Sequence, residues 1–122
     1  MFIKIRYIAL ELMEKQDETA SVNDLRKVAG KWLREQREKL GISQRELARR
    51  VNVEYYTFIS QIEAGRGRVP AERLEDWAGA LEIEPAIFAK TLMKFYDHHT
   101  YKLIFPSAER ENVIAINGNA LR

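Results

Sequence analysis

The sequence contains no cysteine. Disulfide bonds and thiolate metal sites are therefore excluded, and an intracellular, cytoplasmic protein is expected. The chain also lacks any run of about 18 apolar residues, which is the length that a membrane-spanning helix needs, so no contact with a membrane is expected. The opening stretch MFIKIRYIALEL is interrupted by Lys4, Arg6 and Glu11, so we do not expect a signal peptide there.

Signatures of catalysis and of metal binding are also missing. The sequence has no glycine-rich phosphate-binding loop and no nucleophile–base pattern, so we expect neither an enzyme nor a cofactor. GRGR (65–68) is a basic turn and not such a loop. The only two histidines, His98 and His99, are adjacent. Neighbouring residues on a helix point about 100° apart, so both histidines are expected to face solvent and not to share a metal ion.

Positive charge is concentrated in the middle of the chain. Residues 26–68 contain eleven Lys or Arg and five Glu, a net charge of +6, whereas residues 1–25 and 69–122 carry −2 each. A basic segment between acidic flanks is typical of a protein that binds a polyanion. Solvated helix faces would give the same excess, so charge alone leaves both interpretations open.

The first two predicted helices are marked by their starting residues. Ser21 is expected to cap a helix at about 22–40, whose apolar positions recur at helical spacing. Ser43 and Glu46 have the spacing of a capping box, in which the serine accepts from the Glu46 amide and the glutamate reaches back. This box predicts a second helix at 44–51.

Three further helices complete an all-α domain in this prediction. They are expected at 54–64, 71–82 and 85–97, separated by short connections. Asn52 is suited to the tight turn before the third helix, because asparagine tolerates positive φ. Five helices with short connections make a helical domain over about 22–97.

The two ends of the chain fit this pattern less well. Residues 2–16 match both a helix and a short strand, and we favour a helix or a strand that runs into one. YKLIF (101–105) and NVIAI (112–116) are β-prone, and an isolated hairpin is only marginally stable, so this part is expected to need a partner. The expected divisions are an N-terminal extension (1–21), the helical domain (22–97) and a C-terminal arm for dimerisation (98–122).

The second and third predicted helices, their tight turn and the basic charge form the pattern of a helix-turn-helix. GKWLREQREKLGISQRELARRV (30–51) and ISQIEAGRGRVPAERLEDWAGALEI (59–83) resemble the Cro/phage-repressor (XRE-type) helix-turn-helix proteins. The resemblance extends over about residues 29–95. It implies a five-helix, lambda-repressor-like domain that binds double-stranded DNA with the third helix in the major groove.

The function that this resemblance implies is sequence-specific transcriptional regulation. We expect a repressor that acts as a homodimer on a palindromic or direct-repeat operator. One alternative is an antitoxin that regulates its own synthesis and also binds a toxin, or another regulator, through an arm. A second alternative is a protein-interaction adaptor that uses the same helical fold without DNA.

The resemblance also implies roles for individual residues. Gln44 matches a contact to the DNA backbone, and either Gln44 or Gln61 has the chemistry to pair with adenine. Arg37 and Glu63 match an ion pair that is structural in the family. The residues expected to contact DNA are Gln44, Arg45, Tyr55, Tyr56, Thr57, Ser60, Gln61, Arg66 and Arg68.

One departure from the family pattern affects the third helix. Glu63 follows Ser43 by 20 positions, one more than is usual in the family, and the extra residue lies between Val51 and Ile59. Which side chains at the start of this helix face DNA is therefore left open.

Helical spacing gives an expectation for the aromatic residues. If Ile59 is buried, Tyr55 lies one turn before it and leans inward, whereas Tyr56 leans outward with Thr57 and Ser60. Phe58 is expected at the edge of the core, with exposure toward the groove as the alternative. Trp32 and Trp77 lie on apolar helix faces and are expected to be buried.

Overall fold

The computed structural model describes residues 18–106, with side chains from residue 22 onward. The predicted segments at 2–16 and 112–116 lie outside these residues. Within this range the chain is all-α, as predicted, and contains no strand. Its elements in order are α1 (Glu18–Lys39), α2 (Gln44–Arg50), α3 (Thr57–Glu63), a 3-10 turn (Ala71–Arg73), α4 (Leu74–Ala80), α5 (Pro85–Tyr96) and α6 (His98–Ile104).

The helix starts agree with the sequence patterns only in part. Ser43 caps α2 as predicted, because its Oγ accepts from the Glu46 amide at 3.0 Å. The Glu46 carboxylate bonds to arginines of α2 and does not return to Ser43, so only half of the capping box forms. The prediction that Ser21 caps α1 is wrong, since the helix already begins at Glu18. No proline or glycine lies between Glu18 and Ser21, so no residue in this stretch prevents the helix from beginning before Ser21.

The β-strand predicted at 101–105 is also wrong, because these residues belong largely to α6. Tyr101 is buried, and its ring lies 5.1 Å from that of Phe105, one helical turn later. The Lys90 ammonium of α5 lies 4.5 Å from the centre of the Phe105 ring. Contacts within α6 and with α5 therefore override the local β propensity of YKLIF.

The hydrophobic core lies between α1, α5 and the three short helices α2, α3 and α4. Trp77 is fully buried as predicted, whereas Trp32 is only partly buried, with its ring 5.8 Å from that of Phe88. α1 packs against both α3 and α5. The other large side chains that are fully buried are Phe88, Leu33, Leu47, Val51, Ile59, Ile62, Val69 and Leu92.

Candidate nucleic-acid interface

The turn between α2 and α3 is built around Asn52, which has a positive φ of 59°. Asparagine adopts this left-handed conformation more readily than most residues because its side chain can bond to nearby backbone groups. The turn is closed by backbone bonds from Val51 to Leu47 and from Val53 to Ala48, each 2.9 Å long. Leu47 and Val51 are buried, so the end of α2 is anchored in the core.

The segment that precedes α3 lies within the region 51–59, where the sequence comparison with the family pattern predicts the extra residue. Val53 packs partly against the core, and the chain then continues without regular structure until α3 begins at Thr57. The third helix therefore starts three residues later than the predicted 54. Backbone bonds from Phe58 to Tyr55 and from Ser60 to Tyr56, both 3.1 Å, form its first turn.

Both tyrosines before α3 are exposed. Tyr56 is 41% exposed, in agreement with its expected outward orientation, but the prediction that Tyr55 leans inward is wrong, since 67% of its surface is exposed. Tyr55 precedes the helix, so the helical spacing to Ile59 does not govern its direction. The Arg45 guanidinium of α2 lies 4.8 Å from the centre of the Tyr56 ring, a cation–π contact between the two elements.

Phe58 is 40% exposed, so its predicted place at the edge of the core is wrong and the alternative, exposure, holds. Only Ile59, Ile62 and Glu63 of α3 are buried, and this buried face is too narrow to include Phe58. The expectation of burial rests on the position of Phe58 next to the buried Ile59, and this position does not show that the side chain is exposed. Phe58 is therefore absent from the residues that the sequence predicts to contact DNA.

The rest of the outer surface of α3 is polar. Thr57 and Gln61 are exposed and Ser60 is half-buried. Thr57 and Gln61 are separated by one helical turn, which places them next to each other on the same side of the helix. The buried residues on the opposite side fix α3 against the core, so this polar surface is held in one orientation.

Arg37 and Glu63 form a buried, two-bonded ion pair. Arg37 Nε donates to Glu63 Oε2 at 2.8 Å and Nη2 donates to Oε1 at 3.1 Å, and the two side chains are only 11% and 4% exposed. Arg37 Nη1 also donates to the Ile42 carbonyl at 2.8 Å. Gln44 Nε2 completes the cluster with a 3.1 Å bond to Glu63 Oε1.

This cluster joins three elements of the fold. Arg37 lies near the end of α1, Gln44 begins α2 and Glu63 ends α3. Gln44 is half-buried and one of its amide hydrogens is used by Glu63, so only its remaining amide atoms and its backbone are left to bind another molecule. The cluster therefore sets the position of the two helices relative to each other.

The arginines of α2 differ in their partners. The Glu46 carboxylate accepts from Arg49 and Arg50, at 2.6 Å and 3.2 Å, and Arg50 also donates to the Ala80 carbonyl at 3.1 Å. Hydrogen bonds from Arg49, and to a smaller extent from Arg50, lower the pKa of Glu46 to about 2. Within the described part of the chain, Arg45 forms no ion pair. Arg45 is thus the α2 arginine whose charge is available to another molecule.

The loop after α3 carries two further arginines. Arg66 is exposed and forms no ion pair with any residue that the structure describes. Arg68 instead donates to Asp97 at 3.0 Å, and its guanidinium lies 4.7 Å from the centre of the Tyr96 ring. A phosphate at Arg68 would compete with the Asp97 carboxylate, whereas a phosphate at Arg66 would meet no such competition.

The chain matches a known protein family. Residues 33–88, from the second half of α1 to the first turn of α5, match the family model described as "Helix-turn-helix". Neither the curated proteins nor the solved structures that were compared gave a match. Between residues 18 and 106, no helix combines the length and apolar character of a membrane span, and no group of three or more potential metal ligands is present.

Proposed function

We propose that the chain is a sequence-specific transcriptional regulator. This proposal is supported by the match of residues 33–88 to a helix-turn-helix family model of the Cro/phage-repressor (XRE) type, a family of DNA-binding regulators. In this proposal α3 enters the major groove of double-stranded DNA and α2 lies across the backbone. The observation that carries it is the exposed surface at Tyr56, Thr57 and Gln61, which is held rigidly by the buried side of α3.

Gln61 is the strongest candidate for a base contact. Its side chain is exposed near the middle of α3, and an amide has the geometry to bond to both N6 and N7 of adenine. Such a pair is worth about 1–3 kcal/mol of discrimination against other bases. Thr57, one helical turn earlier, supplies a hydroxyl that can both donate and accept.

The arginines supply contacts that position the protein without reading sequence. Arg45 at the start of α2 and Arg66 beyond α3 lie at the two ends of the helix-turn-helix, and both are exposed. Contacts of this kind to phosphate set the register of a protein on the duplex. Arg68 is a weaker candidate because Asp97 already neutralises part of its charge.

We propose that the regulator is a repressor, since a protein that occupies an operator blocks the access of other proteins without needing any further activity.

Selection of bound duplexes from a random-sequence pool tests directly whether the chain binds DNA with sequence specificity. Enrichment of a defined site is expected. Weak binding to every sequence, abolished by moderate salt, would instead favour the adaptor alternative.

On the selected site, the Arg66→Ala variant is expected to bind more weakly, and by a similar factor on unrelated sequences. Loss of one phosphate contact should reduce the slope of log K against log salt concentration by about 0.9. Fluorescence anisotropy titrations from low to moderate salt measure this slope. Arg34→Ala is the matched control, because Arg34 is an exposed α1 arginine paired with Glu38. A slope for Arg66→Ala equal to that of the wild type would remove Arg66 from the phosphate contacts.

We propose that the chain forms a homodimer through the exposed apolar surface of α5 and α6. Ile87, Leu103 and Ile104 are exposed, and Leu103 is 82% exposed. The contact between Lys90 and Phe105 places the end of α6 beside the first half of α5, the half that also carries Ile87. Exposed apolar residues that share one end of a helix pair are suited to a symmetric interface. A dimer would present two copies of α3 to successive major grooves, about one helical turn of DNA apart.

Leu103→Asp is expected to convert the dimer into a monomer, because it places a charge in the proposed interface. Sedimentation equilibrium measures the mass, and circular dichroism checks that the helices remain. The control is Val28→Asp, which changes an exposed apolar residue of α1. A wild-type chain that is already monomeric would contradict the homodimer.

A further inference from the structure

Three aromatic residues at the start of α3 are exposed. Tyr55, Tyr56 and Phe58 lie within four positions, and each is at least 40% exposed. Tyr55 and Tyr56 carry hydroxyl groups, and Tyr56 also supports Arg45 through its ring. Phe58 has no polar atom, so its exposure must be explained by an apolar contact or by no contact at all.

Phe58 is placed beside the residue proposed to read adenine. Phe58 and Gln61 are three positions apart on α3, and side chains at this spacing are neighbours on a helix surface. The first-turn bond from the Phe58 amide to the Tyr55 carbonyl, 3.1 Å long, holds Phe58 within the regular helix. The ring and the Gln61 amide therefore enter the same part of any groove that α3 occupies.

Only one apolar group is available at the edge of the base pairs in the major groove. Adenine, guanine and cytosine present donors and acceptors there, whereas thymine also presents its C5-methyl group. The flat faces of the bases are stacked inside the duplex, so an aromatic ring in the groove meets edges and not faces. A phenyl ring on α3 thus has a matching apolar partner in the groove, the thymine methyl.

We propose that Phe58 contacts the C5-methyl group of a thymine, so that α3 reads A·T base pairs through an apolar ring beside a hydrogen-bonding amide. This inference rests on the proposed function, because it requires α3 to lie in the major groove. It makes Phe58 a specificity-determining residue and names the target as a site with a thymine methyl next to the adenine that Gln61 contacts.

Replacing single thymines by deoxyuridine tests the inference on the wild-type chain. The probes are duplexes of the selected site in which each thymine in turn is replaced by deoxyuridine, which removes only the methyl group. At the position that Phe58 contacts, affinity is expected to fall about fourfold, since burial of one methyl-sized group changes a binding constant by about this factor. Equal affinity for the thymine and deoxyuridine duplexes at every position would overturn the inference while leaving the proposed function intact.

Two variants test whether Phe58 makes the contact with the thymine methyl group. Phe58→Ala and Phe58→Gln are each expected to bind the thymine and deoxyuridine duplexes equally well at that position. Gln61→Ala is the control, and it should keep the fourfold difference while losing its preference for adenine. If the difference persists in both Phe58 variants, another residue reads the methyl and the assignment is wrong. Selection that yields no preferred site would overturn the proposed function and this inference with it.

Discussion

Glu63→Gln is expected to lower the free energy of unfolding by about 3–5 kcal/mol, because it leaves a buried guanidinium without its counter-ion. Arg37 makes both of its bonds to the Glu63 carboxylate in a region where neither side chain is substantially exposed. A glutamine presents an NH₂ group in place of one carboxylate oxygen, and this group faces N–H donors from Arg37 or Gln44. Urea denaturation followed by circular dichroism measures the change.

The surface pair of α1 provides a matched control. Arg34 Nε donates to Glu38 Oε1 at 2.8 Å, the same length as the shorter bond of the buried pair, but both of these side chains are exposed. Exposed pairs of this kind contribute about 0.3–0.5 kcal/mol, so Glu38→Gln should change stability by no more than that. Equal losses for Glu38→Gln and Glu63→Gln would show that burial does not govern the effect.

The double variant Arg37→Met with Glu63→Leu separates the stranded charge from the lost bonds. Apolar side chains in place of a buried ion pair are often neutral or stabilising, so the double variant should recover much of the loss seen in Glu63→Gln. Full recovery is not expected, since Arg37 also donates to the Ile42 carbonyl and Glu63 accepts from Gln44. A double variant as unstable as the single one would mean that the bonds, and not the charge, dominate.

Local signals in the sequence predicted the framework that carries the candidate site. The Ser43 cap and the turn at Asn52 each depend on a few neighbouring residues, and both are present in the structure. The ion pair between Arg37 and Glu63 spans 26 positions and was expected only because the chain resembles a known family. No spacing rule within this sequence connects those two residues.

The details of the site were harder to predict because they depend on where α3 begins. Once the helix starts at Thr57, Tyr55 is outside it, and the inference from helical spacing no longer applies. Phe58 is exposed because α3 buries only a narrow face, which is decided by the elements packed around it. YKLIF shows the same limit, since α5 packs against it and favours a helix where local propensity favours a strand.

Gly30→Ala is expected to destabilise the protein by about 1–2 kcal/mol, although alanine is the better helix former. A Cβ added at Gly30 would lie 2.3 Å from the Glu63 carbonyl oxygen and 2.7 Å from that of Ile62. Both atoms belong to the backbone of α3, so the helices must separate instead of a side chain rotating away. Overpacking of this kind typically costs about 1–3 kcal/mol. Separation would also strain the buried pair between Arg37 and Glu63, so the overpacking cost is expected toward the upper end of this range. Helix propensity offsets about 1 kcal/mol of that cost.

Gly79→Ala supplies a control with the opposite sign. Gly79 is an exposed residue of α4, and a Cβ added there meets no atom within 4 Å. The same substitution should therefore stabilise the protein by about 0.5–1 kcal/mol, through helix propensity alone. Thermal and urea unfolding of the two variants measure the difference. If Gly30→Ala also stabilised the protein, α1 could not approach the end of α3 this closely, and the rigid placement of α3 that the proposed DNA contacts require would be lost with it.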